Sequence, residues 1–242
     1  MLRQLDTLGL MLMFCAGCAT TPHAALLHDR YRVIATDDVD KIEQTERTTP
    51  LMALARTTTS GEIFAGTLRR DPKTSVANAG LESYSTIGAL RASFPTDEFM
   101  KGLHISSAPD SERTSEEQHN VTVGGVIYAA SKETDNDFHL IVGDRGCDSG
   151  DCFINVEVSG LPTDPAASDY PTLSAIRTKF ETYLDQQLPG RKYKEFDPPI
   201  PVTVTGSIFF DVDHAAGAIG PAGMKPSSAW EIHPVTDITF EP

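Results

Sequence analysis

Hydrophobic and polar residues alternate along roughly the last forty residues of the chain. Residues 202–210 alternate valine and isoleucine with threonine and serine, and residues 230–240 form a second run rich in tryptophan, isoleucine and phenylalanine. β-Branched and aromatic residues with a period of two are typical of strands with one buried face. The pattern therefore predicts two strands, joined by a long glycine-, alanine- and proline-rich loop.

Three more strands are predicted upstream of these two. Residues 121–130, 138–144 and 152–158 are rich in valine, isoleucine and phenylalanine, and polar turns separate them. Gly124 and Gly125 lie in the middle of the first run, as a bulged and sharply coiled strand requires.

One helix is predicted between the third and the fourth of these strands. Apolar residues recur at helical spacing from Leu173 to Leu184. Pro171 lies in the first turn, where its missing N–H costs nothing, and Pro189-Gly190 ends the pattern.

The predicted order β-β-β-α-β-β is the connectivity of an OB-fold, a five-stranded Greek-key barrel whose helix covers one open end. Other small β-barrels share this order and are the alternative. We therefore expect a mainly β protein with an OB-like barrel over residues 95–242, preceded by a long and partly disordered N-terminal region.

The N-terminus resembles a bacterial lipoprotein signal. Residues 8–14 are apolar but too few to span a bilayer as a helix, and Ala16-Gly17-Cys18 follows closely. In such signals small residues precede a cysteine that becomes the acylated N-terminus. The resemblance implies a signal peptide over residues 1–17 and lipidation of Cys18, for example with palmitate. An ordinary secretory peptide and a buried apolar segment are the alternatives.

Lipidation would place the protein in the bacterial cell envelope, with the membrane as a partner through the lipid anchor. Ala19 carries no obvious signal for retention in the inner membrane, so we expect the outer membrane, facing the periplasm. Residues 18–94 predict a largely irregular tether, because polar residues and prolines break any periodicity. Thr96, followed by Asp97 and Glu98, predicts a helix N-cap at the start of the domain.

The chain is acidic throughout, with a formal net charge of −14. Residues 121–242 contain 8 Lys and Arg against 18 Asp and Glu. Because affinity for nucleic acid depends mainly on cations that replace condensed counterions, we expect no nucleic-acid partner.

Cys147 and Cys152 flank a short polar turn between two predicted strands. In an oxidising compartment this spacing favours a disulfide at the tip of a hairpin. A metal clip and two free thiols are the alternatives.

Three stretches resemble a group of exported bacterial proteins of unassigned function. These stretches are residues 135–140, 206–214 and 230–235, and the likeness covers roughly residues 95–240. The resemblance implies the fold and the export of the chain, and it implies no activity or ligand.

The loop between the last two predicted strands is flanked by residues that can carry chemistry. Strand alternation places Glu231 and His233 on one face and Trp230 on the other. If the two strand ends meet across the loop, four side chains converge as a possible ligand or metal site: Asp211, His214, Glu231 and His233. His139 also neighbours an acidic residue, Asp137.

A structural role is the favoured interpretation of this group, because Asp and His beside a loop often hydrogen-bond its backbone. The sequence has no tight ligand spacing such as H-E-x-x-H and no G-x-S-x-G nucleophile motif. We therefore assign no catalytic residue and no firm cofactor, with a divalent metal as the open possibility.

Two hypotheses of function follow. The first is a non-enzymatic envelope lipoprotein that presents an OB-like binding or scaffolding domain to an envelope protein, a peptide or a glycan, by analogy of fold alone. The alternative is a metal-dependent hydrolase that uses Asp211, His214, Glu231 and His233.

Overall fold

The structure is a computed structural model of the chain, and it describes residues 31–35, 65–214, 216–217 and 219–241. The predicted signal peptide, Cys18 and most of the predicted tether lie outside these ranges. Within them, the longest helices are too short or too polar to cross a bilayer.

The described residues form seven strands and four α-helices, so the prediction of a mainly β fold is confirmed. In chain order the elements are β1 (Arg32–Ala35), α1 (Arg70–Lys73), β2 (Leu81–Tyr84), α2 (Ile87–Ala92), α3 (Asp97–Gly102), β3 (Asn120–Lys132), β4 (Phe138–Gly143), β5 (Phe153–Val158), α4 (Tyr170–Leu184), β6 (Lys194–Phe210) and β7 (Trp230–Phe240).

The strands form one mixed sheet in the order β1-β6-β7-β5-β4-β3-β2, and β3 also pairs with β6. The pairs β3–β4, β4–β5, β6–β7 and β3–β6 are antiparallel, whereas β5 and β7 run parallel. The parallel pair brings the third predicted strand beside the last one, which is the arrangement on which the site depends.

Local sequence signals account for the helices near the sheet. The Thr96 side chain accepts a hydrogen bond from the backbone N–H of Phe99, so the predicted N-cap is present. In α4 the apolar face is buried, with Phe180 fully enclosed and Pro171 in the first turn. Tyr183 stacks on Phe240 of β7 with ring centroids 3.5 Å apart, which docks α4 on the sheet.

The glycines of β3 serve a different purpose from the predicted one. The register of β3 shifts at Tyr128, between Ile127 and Ala129, rather than at the glycines. A Cβ on Gly125 would lie 2.9 Å from the carbonyl oxygen of Gly143. Gly125 therefore permits close approach of β4, and the bulge forms elsewhere.

Both faces of the central strands are buried, whereas antiparallel sheets commonly have one face in contact with solvent. Every residue of β4 and β5 is buried. One face packs into the main apolar core through residues such as Leu140, Val156 and Trp230. The opposite face carries polar and charged side chains beneath other parts of the chain.

The segment 65–77 helps to cover this polar face, and buried contacts anchor it. The Arg69 guanidinium donates to both carboxylate oxygens of Glu117 at 2.7 and 2.8 Å, with both side chains almost fully enclosed. Arg69 also donates to the carbonyl oxygen of Phe210 at 2.9 Å. The backbone N–H of Ala77 donates to the Ser207 hydroxyl.

The structure differs here from the predicted tether over residues 18–94. Residues 65–94 contain α1, β2 and α2, and Ile87 and Leu90 are completely buried. These elements are only four to six residues long, so their sequence has too little periodicity to predict them. Packing on the sheet stabilises them, as is general for short helices.

The turn between β4 and β5 carries the two cysteines, whose Sγ atoms are 1.97 Å apart, a disulfide distance. The carbonyl oxygen of Gly150 accepts hydrogen bonds from the Ser227 backbone at 2.9 Å and from Arg91 at 2.8 Å. The turn is thus tied to the end of the 211–229 loop.

Candidate metal centre

The four side chains proposed from the sequence do converge on the polar face. Nδ1 of His214 is 3.1 Å from Oδ2 of Asp211 and 3.3 Å from Oε1 of Glu231. We call Asp211, His214 and Glu231 the outer triad. His233 lies further in, with its Nδ1 3.8 Å from Oε2 of Glu231.

His233 belongs to a second group that the sequence analysis missed. Its Nδ1 is 2.8 Å from Oε2 of Glu157, and its Nε2 is 3.5 Å from Oδ2 of Asp137. We call Asp137, Glu157 and His233 the inner triad. In each triad, one potential ligand atom from every residue lies within 4.8 Å of the other two.

Strand pairing places these residues side by side. β5 and β7 are parallel with Asn155 opposite Glu231, and Glu157 and His233 follow two residues later on the same face. In the antiparallel pair β4–β5, His139 lies opposite Glu157. Asp137 immediately precedes β4. The inner triad is therefore a product of three neighbouring strands.

Several atoms of the inner triad, and one oxygen of the neighbouring Glu231, make no hydrogen bond within the described residues. Neither ring nitrogen of His233 has a hydrogen bond, and the same holds for Oδ2 of Asp137, Oε2 of Glu157 and Oε2 of Glu231. The 2.8 Å contact of His233 with Glu157 is thus an electrostatic contact outside hydrogen-bond geometry. Buried polar atoms are nearly always paired, so this concentration points to a missing partner.

The other carboxylate oxygens are held in place by neighbouring groups. The Asn155 amide donates to Oε1 of Glu157 at 2.7 Å and to Oε1 of Glu231 at 2.9 Å. Nε2 of His139 lies 2.9 Å from Oε1 of Glu157. Oδ1 of Asp137 accepts a hydrogen bond from the backbone N–H of Gly160. Such contacts orient carboxylates in the way that outer-shell partners orient metal ligands.

Lys73 of α1 brings a positive charge to the rim of the cluster. Its Nζ is 3.5 Å from Oδ2 of Asp135 and 3.8 Å from Oδ2 of Asp211. Burial alone would lower the pKa of Lys73, but the carboxylates of Asp211 and Asp135 raise it well above the ordinary value. Lys73 therefore stays charged.

The negative charge of the cluster raises the pKa values of the histidines in the two triads. Burial alone would lower the pKa of His233, but the carboxylates of Glu157 and Asp137 raise it to about 9. Burial likewise opposes a charged His214, yet Asp211 holds the pKa of His214 well above its ordinary value. Burial and the neighbouring Asp135 raise the pKa of Asp137. The cluster thus attracts positive charge.

The donor set fits a divalent metal ion. Zinc binds imidazole nitrogen and carboxylate oxygen at about 2.0–2.2 Å, so two ligands of a tetrahedral site are about 3.3 Å apart. The contacts of 2.8–3.5 Å within the triads bracket this separation. The nitrogen and oxygen donors, without sulfur, suit zinc or manganese.

Access to the triads from solvent is restricted. Their side chains are at most 8% exposed, and those of the inner triad are 0% exposed. Two surface clefts, of about 450 and 260 Å³, are lined by residues within 70–78, 110–118 and 162–169 rather than by the triads. Among the described residues the triads are therefore enclosed, and neither of these two clefts reaches them.

No family model, no curated protein and no solved structure matches the chain. Evidence for the function therefore comes from the site itself.

One sequence signal for the missed residues was available. Asn155 and Glu157 alternate with apolar residues in a strand that is otherwise hydrophobic. Such alternation predicts a polar face, and Asp137 and His139 repeat the pattern on the preceding strand. The signal shows which faces are polar, but not which strands are neighbours.

Proposed function

We propose that this chain is a non-enzymatic envelope lipoprotein whose OB-like domain binds a divalent metal ion in the inner triad. Asp137, Glu157 and His233 hold the ion, and Glu231 lies next to them. The ion supplies positive charge to a buried carboxylate cluster and cross-links three strands, so its binding stabilises the folded domain.

One observation carries the metal proposal. His233 is completely buried, neither of its ring nitrogens makes a hydrogen bond of regular geometry with the residues that the structure describes, and three carboxylates lie within 3.8 Å of them. Leaving such groups unpaired in the interior costs free energy. A metal ion satisfies a ring nitrogen and the carboxylate oxygens together.

The strand pairings support the OB-like part of the proposal. Around the sheet, β3 pairs with β4, β4 with β5, β5 with β7, β7 with β6, and β6 pairs back with β3. Of the described α-helices, α4 alone lies between strands of this set, after β5 and before β6. This ring of pairings and the position of α4 agree with a five-stranded Greek-key barrel.

The envelope part of the proposal rests on the N-terminal sequence. Ala16-Gly17-Cys18 after the apolar run supports a lipid anchor at Cys18, and Ala19, which carries no obvious signal for retention in the inner membrane, supports an outer-membrane location facing the periplasm. A tether places the domain away from the membrane, where an envelope protein, a peptide or a glycan is the partner class that we propose.

The burial of the triads favours a binding role over the hydrolase hypothesis. A metal-dependent hydrolase needs an open coordination position that water and substrate can reach. Closed coordination is instead typical of metal sites that stabilise a fold.

The experiment is metal analysis of the full-length protein, extracted from membranes in detergent without chelator. We expect stoichiometric zinc or manganese, and we expect His233→Gln to lose the ion of the inner triad. His119→Gln is the matched control, because His119 is a surface imidazole paired with Glu82. Chelator should lower the Tm of the parent and of the control by more than it lowers that of His233→Gln.

Absence of metal from the parent, together with a Tm that does not respond to chelator or to added zinc, would overturn the metal proposal. The cluster would then be a buried network of ion pairs. Turnover of simple phosphate or carboxylate esters by the metal-loaded parent, lost in His233→Gln, would favour the hydrolase instead.

A further inference from the structure

The outer triad has the composition of a second cation site. Oδ2 of Asp211 and Oε1 of Glu231 lie 3.1 and 3.3 Å from the same nitrogen, Nδ1 of His214. Both distances are close to the ligand separation of about 3.3 Å in a tetrahedral zinc site. The three side chains are at most 8% exposed, so the group is enclosed rather than a surface patch of acids.

Glu231 is shared by the two triads. Its Oε1 faces His214 at 3.3 Å, and its Oε2 faces His233 at 3.8 Å. Oε2 makes no hydrogen bond within the described residues although it is buried. One carboxylate therefore directs one oxygen toward each imidazole, which is the arrangement of a bridging ligand in a two-metal site.

We infer that the domain binds two divalent cations, one in each triad, with the Glu231 carboxylate as the bridge between them. This inference rests on the proposed metal-binding function and goes beyond it in the number of ions and in the role of Glu231.

Charge balance supports two ions rather than one. The two triads contain four carboxylates, those of Asp137, Glu157, Asp211 and Glu231. With both histidines neutral, as metal ligands must be, these four negative charges equal the charge of two divalent cations. A single divalent ion in the inner triad would leave the carboxylates of Asp211 and Glu231 with only a protonated His214, so one negative charge would stay in the interior, which is costly without partners.

Neighbouring groups hold the ligands of the outer triad in place. The Asp213 backbone N–H donates to Oδ1 of Asp211 at 2.8 Å, which leaves Oδ2 directed toward His214. The Asn155 amide binds Oε1 of both glutamates, Glu157 and Glu231. Asn155 thus connects the two triads and fixes the spacing of their carboxylates, as an outer-shell residue does.

Lys73 is positioned to balance the remaining charge near the outer triad. Its Nζ is closer to Asp135, at 3.5 Å, than to Asp211, at 3.8 Å. We therefore pair its charge with Asp135, which is not a member of either triad. The Asp211 carboxylate remains a ligand for the second ion.

The test is the number of Zn²⁺ ions bound by the full-length protein in detergent, after saturation with Zn²⁺ and removal of the excess. Metal analysis should give two ions per chain for the parent. Asp137→Asn should reduce the number to one by disabling the inner triad, and Asp211→Asn should do the same through the outer triad. Asp237→Asn, a surface residue paired with Lys179, should keep two.

The bridge has a test of its own. When the parent is loaded with Mn²⁺, electron paramagnetic resonance should show the exchange-coupled signal of two neighbouring ions. Glu231→Gln should abolish this coupling, and Asp237→Asn should preserve it. Circular dichroism should show that each variant is folded, and any ion that remains bound reports an intact site.

The outcomes separate this inference from the proposal on which it rests. One ion in the parent and in Asp211→Asn, but none in Asp137→Asn, would overturn the two-ion site and leave the proposed function standing. No ion in the parent would overturn both. Two ions without magnetic coupling would overturn the bridging role of Glu231.

Discussion

The imidazole of His233 and the carboxylate of Glu157 face each other across the parallel strands β7 and β5. Nδ1 of His233 is 2.8 Å from Oε2 of Glu157, and both side chains are fully buried. The contact lies outside hydrogen-bond geometry, so it leaves charge in the interior that a proton or a metal ion must balance. A proton and a metal ion therefore compete for His233, and this competition can be measured.

The first prediction concerns pH and the chelated, metal-free protein. The carboxylates of Glu157 and Asp137 raise the folded-state pKa of His233 from 6.5 to about 9, although burial opposes this. Protonated His233 therefore stabilises the folded state, with its full contribution below pH 6.5, and that contribution is lost as the pH rises through 9. The loss should be on the order of 3 kcal/mol. His214, whose pKa is also raised, acts in the same direction.

Thermal melts of the chelated parent between pH 6 and pH 10 should therefore show a falling Tm, and His233→Gln should fall less. The zinc-loaded protein should behave in the opposite way at lower pH. Protons compete with the ion for the same nitrogen, so its Tm should increase from pH 5 to pH 7. Identical pH profiles with and without chelator would contradict this prediction.

The second prediction is that Trp230→Ala lowers the free energy of unfolding by about 3–5 kcal/mol, because it leaves a large cavity in the core. Trp230 is 2% exposed, lies against Phe94 and Phe210, and donates its Nε1–H to the Pro95 carbonyl oxygen at 2.7 Å. Urea unfolding followed by circular dichroism measures the effect. Tryptophan fluorescence cannot be used, because Trp230 is the only tryptophan.

Phe99→Ala is the matched control for this substitution. The Phe99 side chain is 51% exposed, and exposed substitutions usually change stability by no more than about 0.5 kcal/mol. Equal losses for Trp230→Ala and Phe99→Ala would mean that burial of Trp230 is not what stabilises this end of β7.

The third prediction is that removal of the disulfide is mild. Cys147 and Cys152 are separated by 5 positions, and a loop this short contributes only about 2 kcal/mol in the chain-entropy description. Hydrogen bonds from Ser227 and Arg91 to Gly150 hold the turn as well. Denaturation of the double variant Cys147→Ser/Cys152→Ser, compared with the parent, tests this.

Mass spectrometry without reductant on exported protein should find the two cysteines linked. Two free thiols there would contradict the disulfide. A double variant that is unfolded at growth temperature would show that the turn depends on the covalent bond, against the expectation of a mild effect.

The fourth prediction is that Cys18 carries lipid. Labelled palmitate should be incorporated by the parent and by Cys147→Ser/Cys152→Ser, and both should fractionate with membranes. Cys18→Ser should take up no label and should leave the membrane fraction, because stable anchoring needs covalently attached acyl chains. Membrane retention and labelling of Cys18→Ser would refute lipidation at this residue.

Sequence by itself determined the elements whose signals are local. The strands β3 to β7 follow from runs of β-branched and aromatic residues, and α4 follows from one apolar face and Pro171. The convergence of Asp211, His214 and Glu231 was also within reach of sequence. These residues flank one loop between two adjacent strands, so a single assumption about that loop brings them together.

Only the tertiary structure decided which residues form the inner triad and that the segment 65–77 helps to cover the polar face of the sheet. Glu157 and His233 lie on β5 and β7, and Asp137 immediately precedes β4. β5 and β7 become neighbours although α4 and β6 separate them in the chain. Arg69 reaches Glu117 across 48 positions, and Lys73 reaches Asp135 across 62. Periodicity reports which face of a strand is polar, because it depends on the residues of that strand alone. Which polar faces meet depends on the packing of the whole chain, since loop-closure entropy and core burial together select the strand order.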